Sequence, residues 1–229
     1  MKEFRRHDLL KISFEGRSRI FQELVNSGTE LPTQILSDTL LNFCGKDRIP
    51  AVVRRGPVQP EGYVNAGFVS VQVINGSKAK IACTVSESEI VDLISPYVLP
   101  FCKYNERNKC LEALRAVSAM PEAENGKIGV AGSAAMEVVT GLSYTNDESD
   151  LDIIIRDSNL KEVFKTCTNL IRIGQQYDVS MDVEVQLKNG YGVKAKELFI
   201  GSSTLLGKGL FDVQLLERAE VEDLLKDNK

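Results

Sequence analysis

The 229-residue chain has a single histidine, His7, and its five cysteines (Cys44, Cys83, Cys102, Cys110 and Cys167) include no CxxC pair. Zinc centres are built from clustered cysteine and histidine, so none is expected. An odd, dispersed set of thiols argues against a disulfide framework and for a reducing cytosol. The opening residues, MKEFRRHDLLKISFEG, contain no apolar core and no small-residue cleavage site, so export is not expected. No apolar run reaches the roughly 18 residues of a membrane span. Positive charge is not in excess: 28 Lys+Arg stand against 32 Asp+Glu, for a net charge of -4. Long-range attraction to a nucleic-acid polymer is therefore not expected, although local charge still permits a small phosphate-bearing substrate. There is no low-complexity segment and no internal repeat.

What is present suits a packed protein of one or two domains. Hydrophobic residues make up 43% of the chain and charged residues 26%, enough to build a sizeable core. Pro96, Pro100 and the polar stretch KYNERNK suggest a boundary near residue 100, dividing the chain into 1–100 and 101–229.

In the first part, RRHDLLKI is strand-like, and His7-Asp8 is read as the lead into that strand. Arg19 to Val25 is helical and stops at Asn26-Ser27-Gly28. Pro32 opens a second helix with the stripe Ile35, Leu36, Thr39, Leu40 and Phe43, ending before Gly45. Ile49 to Arg55 is a strand. A hairpin comes next: Val69, Val71 and Val73 alternate with Ser70 and Gln72, Asn75-Gly76 turns, and Ala79, Ile81, Cys83 and Val85 return. Ser86 and Glu89 form a capping box that predicts a helix through Ile90, Val91 and Ile94.

In the second part, Leu111, Leu114 and Val117 mark a helix that stops at Met120-Pro121. The central stretch is IGVAGSAAMEVVTGLSYTNDESDLDIIIR, residues 128–156: an apolar run ending at Gly132-Ser133, a short helix, a polar loop, and a second apolar run opened by Asp150-Leu151-Asp152. Leu160 to Ile171 is an amphipathic helix carrying Leu160, Val163, Phe164, Cys167, Leu170 and Ile171. Val179 to Leu187 alternates without a break and places Asp182 and Glu184 on one face, and Asn189-Gly190 turns the chain back through Tyr191–Val193. Helices interleaved with strands predict a mixed sheet with helices packed on it, an α+β fold.

The chemistry resides in the central stretch. Side chains alternate along a strand, so Asp150 and Asp152 share a face with Cα atoms about 7 Å apart. Mg²⁺ takes hard oxygen ligands, typically one or two carboxylates together with substrate phosphates. A third carboxylate, Asp182 or Glu184 on the neighbouring strand, completes the metal site or accepts a proton. Gly132-Ser133 opens a helix whose first amides, with a glycine permitting close approach, suit a phosphate anion. Candidate cations are Lys208 in LLGKG, Arg54-Arg55 and, more weakly, Arg156. Cys83 and Cys167 read as core, and without a neighbouring histidine no thiol nucleophile is expected.

Gly-Ser, then Asp-x-Asp on a strand, then a carboxylate on a later strand resembles the nucleotidyltransferase superfamily. More narrowly, RRHDLLKI, AVVRRG, GVAGSAAMEVVTGL, ESDLDIIIR and VEVQL with the adjoining Tyr191–Leu198 segment resemble the phosphoribosyl-dephospho-CoA transferases, the holo-acyl-carrier-protein synthases of malonate decarboxylase. The resemblance implies a smaller N-terminal α/β domain followed by a nucleotidyltransferase-like catalytic domain. It implies transfer of phosphoribosyl-dephospho-CoA from triphosphoribosyl-dephospho-CoA to a serine of the apo acyl-carrier subunit, with release of diphosphate. It also implies Mg²⁺ or Mn²⁺ held by Asp150, Asp152 and Glu184, and Gly132-Ser133 as the phosphate turn. Glu184 stands where the family carries aspartate, which leaves the third role open between Glu184 and Asp182. Two other readings compete: adenylyl transfer to a small molecule or protein, and a non-catalytic nucleotide-binding module.

Overall fold

In the computed structural model, residues 3–42 and 49–226 are described. They form two compact units that divide between Ser95 and Pro96. Both combine helices with a sheet, so the fold is α+β. No helix among the described residues is long and apolar enough to cross a membrane.

The first unit contains β1 (Leu9–Ile12), α1 (Phe14–Asn26), α2 (Thr33–Leu40), β2 (Ala51–Val53), β3 (Tyr63–Ile74), β4 (Ser77–Ser86) and β5 (Ile90–Ile94). Its five strands lie in the order β4-β3-β2-β1-β5, every pair antiparallel. His7 enters β1 through a turn with φ 74° and donates its backbone N–H to the Val53 carbonyl at 3.2 Å. Ser13 caps α1 by accepting from the Gly16 amide. The buried Arg17 donates to the carbonyls of Ile12, Thr39, Leu40 and Ile49, which ties the end of β1 to α2 and to the approach to β2. The predicted end of the second helix, at Phe43 and Gly45, lies outside the described residues.

One expectation for this unit is corrected. The capping box at Ser86 and Glu89 forms, but it closes a 3-10 turn, Glu87–Glu89, and the chain continues as β5 instead of a helix. Glu89 is held by Arg19 at 2.6 and 2.7 Å. The β-branched Ile90, Val91 and Ile94 suit a strand, and β5 pairs with β1, so tertiary pairing overrides the local start signal. In the hairpin, the polar parity is the buried one: Ser70 is 2% exposed whereas Val73 is 62% exposed. Val64, Ala66 and Phe68 set the core face earlier in β3, Ser70 continues it, and the Gln72 side chain bonds Asp38 on α2 at 2.8 Å. The register shifts between Val69 and Val73.

The second unit begins with a 3-10 turn, Pro96–Phe101, and continues through α3 (Lys109–Ser118), α4 (Pro121–Glu124), β6 (Ile128–Val130), α5 (Gly132–Thr140), β7 (Leu151–Ile155), α6 (Leu160–Tyr177), β8 (Met181–Gln186), β9 (Gly192–Lys194), α7 (Ala195–Phe199), β10 (Thr204–Lys208), β11 (Val213–Glu217) and α8 (Arg218–Leu224). The sheet order is β11-β10-β9-β8-β7-β6. β7 and β8 are parallel, joined by α6 as the crossover, and the other pairs are antiparallel. Asn159 and Glu162 cap α6 reciprocally. Val163, Cys167 and Leu170 are buried, while Phe164 and Ile171, both assigned to the apolar stripe, lie at its exposed margin. α3 packs against α6 and β7. On the other face of the sheet, Ile154 clusters with Tyr97 and Ala131.

Candidate active site

The parallel pairing of β7 and β8 puts Asp152 opposite Asp182 and Ile154 opposite Glu184. Neighbouring strands lie about 4.8 Å apart, so opposed carboxylates share one small volume. Asp150 precedes the first residue of β7 and so is not held in the strand itself. One carboxylate oxygen from each of Asp150, Asp152 and Asp182 nevertheless lies within 4.8 Å of the others. Glu184 is outside this group: of the two carboxylates open for the third place beside Asp150 and Asp152, Asp182 is the one grouped with them. The cause is register. Glu184 sits two residues further along β8, opposite Ile154, which clusters with Tyr97 and Ala131. The Tyr97 ring lies against Gly129, where a Cβ would approach it to 3.0 Å, and its hydroxyl donates to Gln186 at 2.7 Å. Glu184 is 8% exposed.

Gly132 adjoins the group. It adopts φ +61°, and a Cβ placed on it would come 1.8 Å from Asp152 Oδ2. Only glycine combines that backbone angle with that approach. The Ala131 amide donates to the Asp152 carbonyl at 3.0 Å, so backbone as well as side-chain contacts join the start of α5 to β7. Gly132 is exposed and Ser133 half-buried, as the first two residues of α5.

The polar loop that delivers Asp150 is anchored by a buried network. Glu137, on α5, accepts from Arg107 at 2.6 and 3.0 Å and from the Thr145 amide and hydroxyl at 2.7 Å each. Arg107 also donates to the Thr145 carbonyl, and Asn108 Nδ2 to the Thr145 hydroxyl at 2.8 Å. Burial alone would push the Glu137 carboxyl up, but the Arg107 and Thr145 donors outweigh it and hold it below its ordinary value. Further along, the Asn146 carbonyl accepts from the Ser149 amide at 3.1 Å, and Leu151 donates to the Ser180 carbonyl at 2.9 Å.

A cation not anticipated from the sequence faces the carboxylates. Lys194, on β9, pairs in register with Glu184, and its Nζ forms an ion pair with Asp182 Oδ2. Its position was readable in principle: the Asn189-Gly190 turn with alternation on both sides brings residue 194 back across β8. Lys208 shares this face, since Gln186 pairs with Gly192 and Gly192 with Lys208. That row is four residues and two strands away from Asp182, roughly 15 Å at the Cα atoms. Arg54 and Arg55 are exposed residues of the first unit, after β2. Arg156 lies at the far end of β7 from Asp152. There it stacks over Tyr97, with its guanidinium carbon 3.7 Å from the ring centroid, and bonds the Gly126 carbonyl at 2.9 Å, a packing role that separates it from the carboxylates.

The thiols are structural. Burial pushes Cys110 up to about 12, with the charges of Asp150 and Asp152 adding to the effect, and pushes Cys167 up to about 11. Neither is a nucleophile at neutral pH.

Hard oxygen ligands fit a divalent ion here. Two oxygens on opposite sides of a Mg²⁺ are about 4.2 Å apart, so carboxylates already within 4.8 Å need little movement. Carboxylates grouped near the starts of two parallel strands, beside a glycine-started helix, form an arrangement that suits a phosphate-bearing substrate. The model for the phosphoribosyl-dephospho-CoA transferase MdcG C-terminal domain matches residues 101–219, which contain every residue of this cluster. The phosphoribosyl-dephospho-CoA transferase of Bradyrhizobium diazoefficiens is 24% identical over 213 residues, 93% of this chain and 90% of that protein. The protein of the same name from Xanthomonas axonopodis pv. citri is 28% identical over 172 residues, 75% of this chain and 80% of its own length. No solved structure matches. The chain belongs to the phosphoribosyl-dephospho-CoA transferase family and is a transferase.

Proposed function

We propose that the chain transfers the phosphoribosyl-dephospho-CoA part of triphosphoribosyl-dephospho-CoA to a serine of the apo acyl-carrier subunit of malonate decarboxylase, and that diphosphate leaves. The observation that carries this reading is the close grouping of Asp150, Asp152 and Asp182 beside Gly132, within the segment that matches the family. In the reaction, the serine oxygen forms a bond to the α-phosphorus and the bond from that phosphorus to the bridging oxygen of the diphosphate breaks. Asp150, Asp152 and Asp182 are the residues that would hold Mg²⁺ or Mn²⁺. When bound, such an ion neutralises polyphosphate charge and polarises the phosphorus–oxygen bonds. Gly132 and Ser133 present the start of α5 to the diphosphate. Lys208 lies at a distance suited to a remote part of the donor. Most of the acceleration would come from alignment and charge stabilisation. The cytosol is the compartment that suits free thiols at Cys83, Cys102, Cys110 and Cys167.

The test is direct. The protein, Mg²⁺, triphosphoribosyl-dephospho-CoA and a matched apo carrier are mixed, and the carrier is weighed by mass spectrometry. One phosphoribosyl-dephospho-CoA adduct on a carrier serine is expected. An unmodified carrier, with the same donor consumed by a known relative, overturns the reading.

A further inference from the structure

Lys194 lies in the Tyr191–Leu198 segment, and no role has been assigned to it so far. It projects from β9 toward the carboxylates, not outward: Glu184 is its partner in register and Asp182 its ion-pair partner, one step along β8. Its side chain is 21% exposed and that of Asp182 is 35% exposed, so the pair is partly shielded but reachable from solvent. The same Asp182 contributes an oxygen to the group with Asp150 and Asp152. One carboxylate therefore stands between a built-in ammonium and the place where a divalent ion fits.

An ammonium so close to a metal-ligating carboxylate competes with the ion for it. The competition ends when a triphosphate arrives, because the ammonium then has a second anionic partner. Lys is suited to this role: it is a compact point charge on a flexible stem with three rotatable donors, able to change partner by rotating its own bonds. Arg156, by contrast, is committed to Tyr97 and the Gly126 carbonyl and lies at the other end of β7.

We propose that Lys194 is a phosphate-binding residue with two successive partners: it neutralises Asp182 while the site is unloaded, and takes a phosphate oxygen of the nucleotide donor once Asp182 is engaged by the metal. This rests on the proposed function for the identity of the donor. It goes beyond that function in assigning the cation, and in implying that metal and donor bind cooperatively.

The experiment uses the full chain as wild type, Lys194→Met and Lys194→Arg, with two binding measurements and no turnover. In the first, Mn²⁺ alone is titrated and free Mn²⁺ is read by electron paramagnetic resonance. Removal of the competing ammonium should tighten Mn²⁺ about 3- to 10-fold in Lys194→Met, and Lys194→Arg should stay near wild type. In the second, triphosphoribosyl-dephospho-CoA is titrated calorimetrically at saturating Mg²⁺. Lys194→Met should bind it about 10- to 100-fold more weakly and Lys194→Arg should recover most of that loss.

A purely structural lysine gives a different pattern: a lower melting temperature, weaker Mn²⁺ binding and no rescue by arginine. That pattern overturns the proposal, as does unchanged binding in either titration. Should Lys194→Met not fold, Lys194→Gln enters the same titrations with the same expected directions. Wild type that binds Mn²⁺ but not the donor refutes the assigned substrate, whereas wild type that binds both, with variants that match it, refutes only the role of Lys194.

Discussion

Two sets of carboxylates lie close to α5, and they are treated in opposite ways. Glu137 is 5% exposed and enclosed by donors: two nitrogens of Arg107 and both the amide and hydroxyl of Thr145. Asp150, Asp152 and Asp182 are instead brought within 4.8 Å of one another, with Lys194 placed against Asp182. The first arrangement stabilises the fold by satisfying an ion. The second gathers like charges with one ammonium beside them, an arrangement that a divalent cation would screen further. The contrast distinguishes a satisfied carboxylate from the grouped ones proposed to work on the substrate, and it predicts opposite responses to neutral substitution.

The largest effect is expected for Asp152→Asn. The side chain keeps its shape against Gly132, while a charge is lost from the cluster. Turnover should fall by about 10²- to 10³-fold. In the presence of chelator the melting temperature should be equal to or above that of wild type, because one repulsive charge has gone. Activity assays paired with thermal melts check both halves. Near-normal turnover, or a marked loss of stability, would break the contrast by making Asp152 another structural carboxylate.

The next effect sharpens the boundary of the proposed metal set. Asp182→Asn should reduce turnover by about 10²-fold, and Glu184→Gln only a few-fold, since Glu184 is buried and stands outside the group. Rates for the two variants, measured at saturating Mg²⁺, decide the matter. The reverse order would return the third ligand to Glu184.

Much of this was legible in the residues, for a physical reason. Gly132, Asp150 and Asp152 lie in one continuous stretch, and alternation on a strand is local chemistry, so their grouping could be read from the residues. The choice between Asp182 and Glu184 could not be read, because both sit on the same face of β8 and only its register with β7 separates them. Register depends on α6, which sets how the chain returns. The Ser86 capping box shows the same limit from the other side: its hydrogen bonds form as expected, but pairing of β5 with β1 decides the conformation of the chain beyond the turn. Arg107 and Thr145 reach Glu137 from 30 and 8 residues away, beyond any periodicity. A charged residue inside the apolar helix GSAAMEVVT was the one local sign that a buried partner had to exist.

The smallest effect on turnover, and the clearest on stability, is expected for Glu137→Gln. Glutamine keeps an oxygen for the Thr145 donors but not the charge opposite Arg107. Removing one member of a buried pair costs about 3–5 kcal/mol when the other is left fully buried. Arg107, with a third of its side chain exposed, can turn to water, so about 2 kcal/mol is expected at neutral pH, a fall in melting temperature of roughly 4–8 °C. Turnover should drop only several-fold, through a looser hold on the loop that carries Asp150. The pH dependence has a definite sign. The Glu137 carboxyl is held below its ordinary value in the folded chain, so its ionised form contributes stability above the unfolded value of about 4.3, and that contribution is lost as the pH falls through the folded value. Denaturant melts of both proteins between pH 6 and pH 3 should show the gap narrowing on acidification, because the variant has no such proton to take up. A gap that stays constant across this range would mean that Glu137 acts by shape alone, and the difference between the two carboxylate sets would then no longer be one of charge.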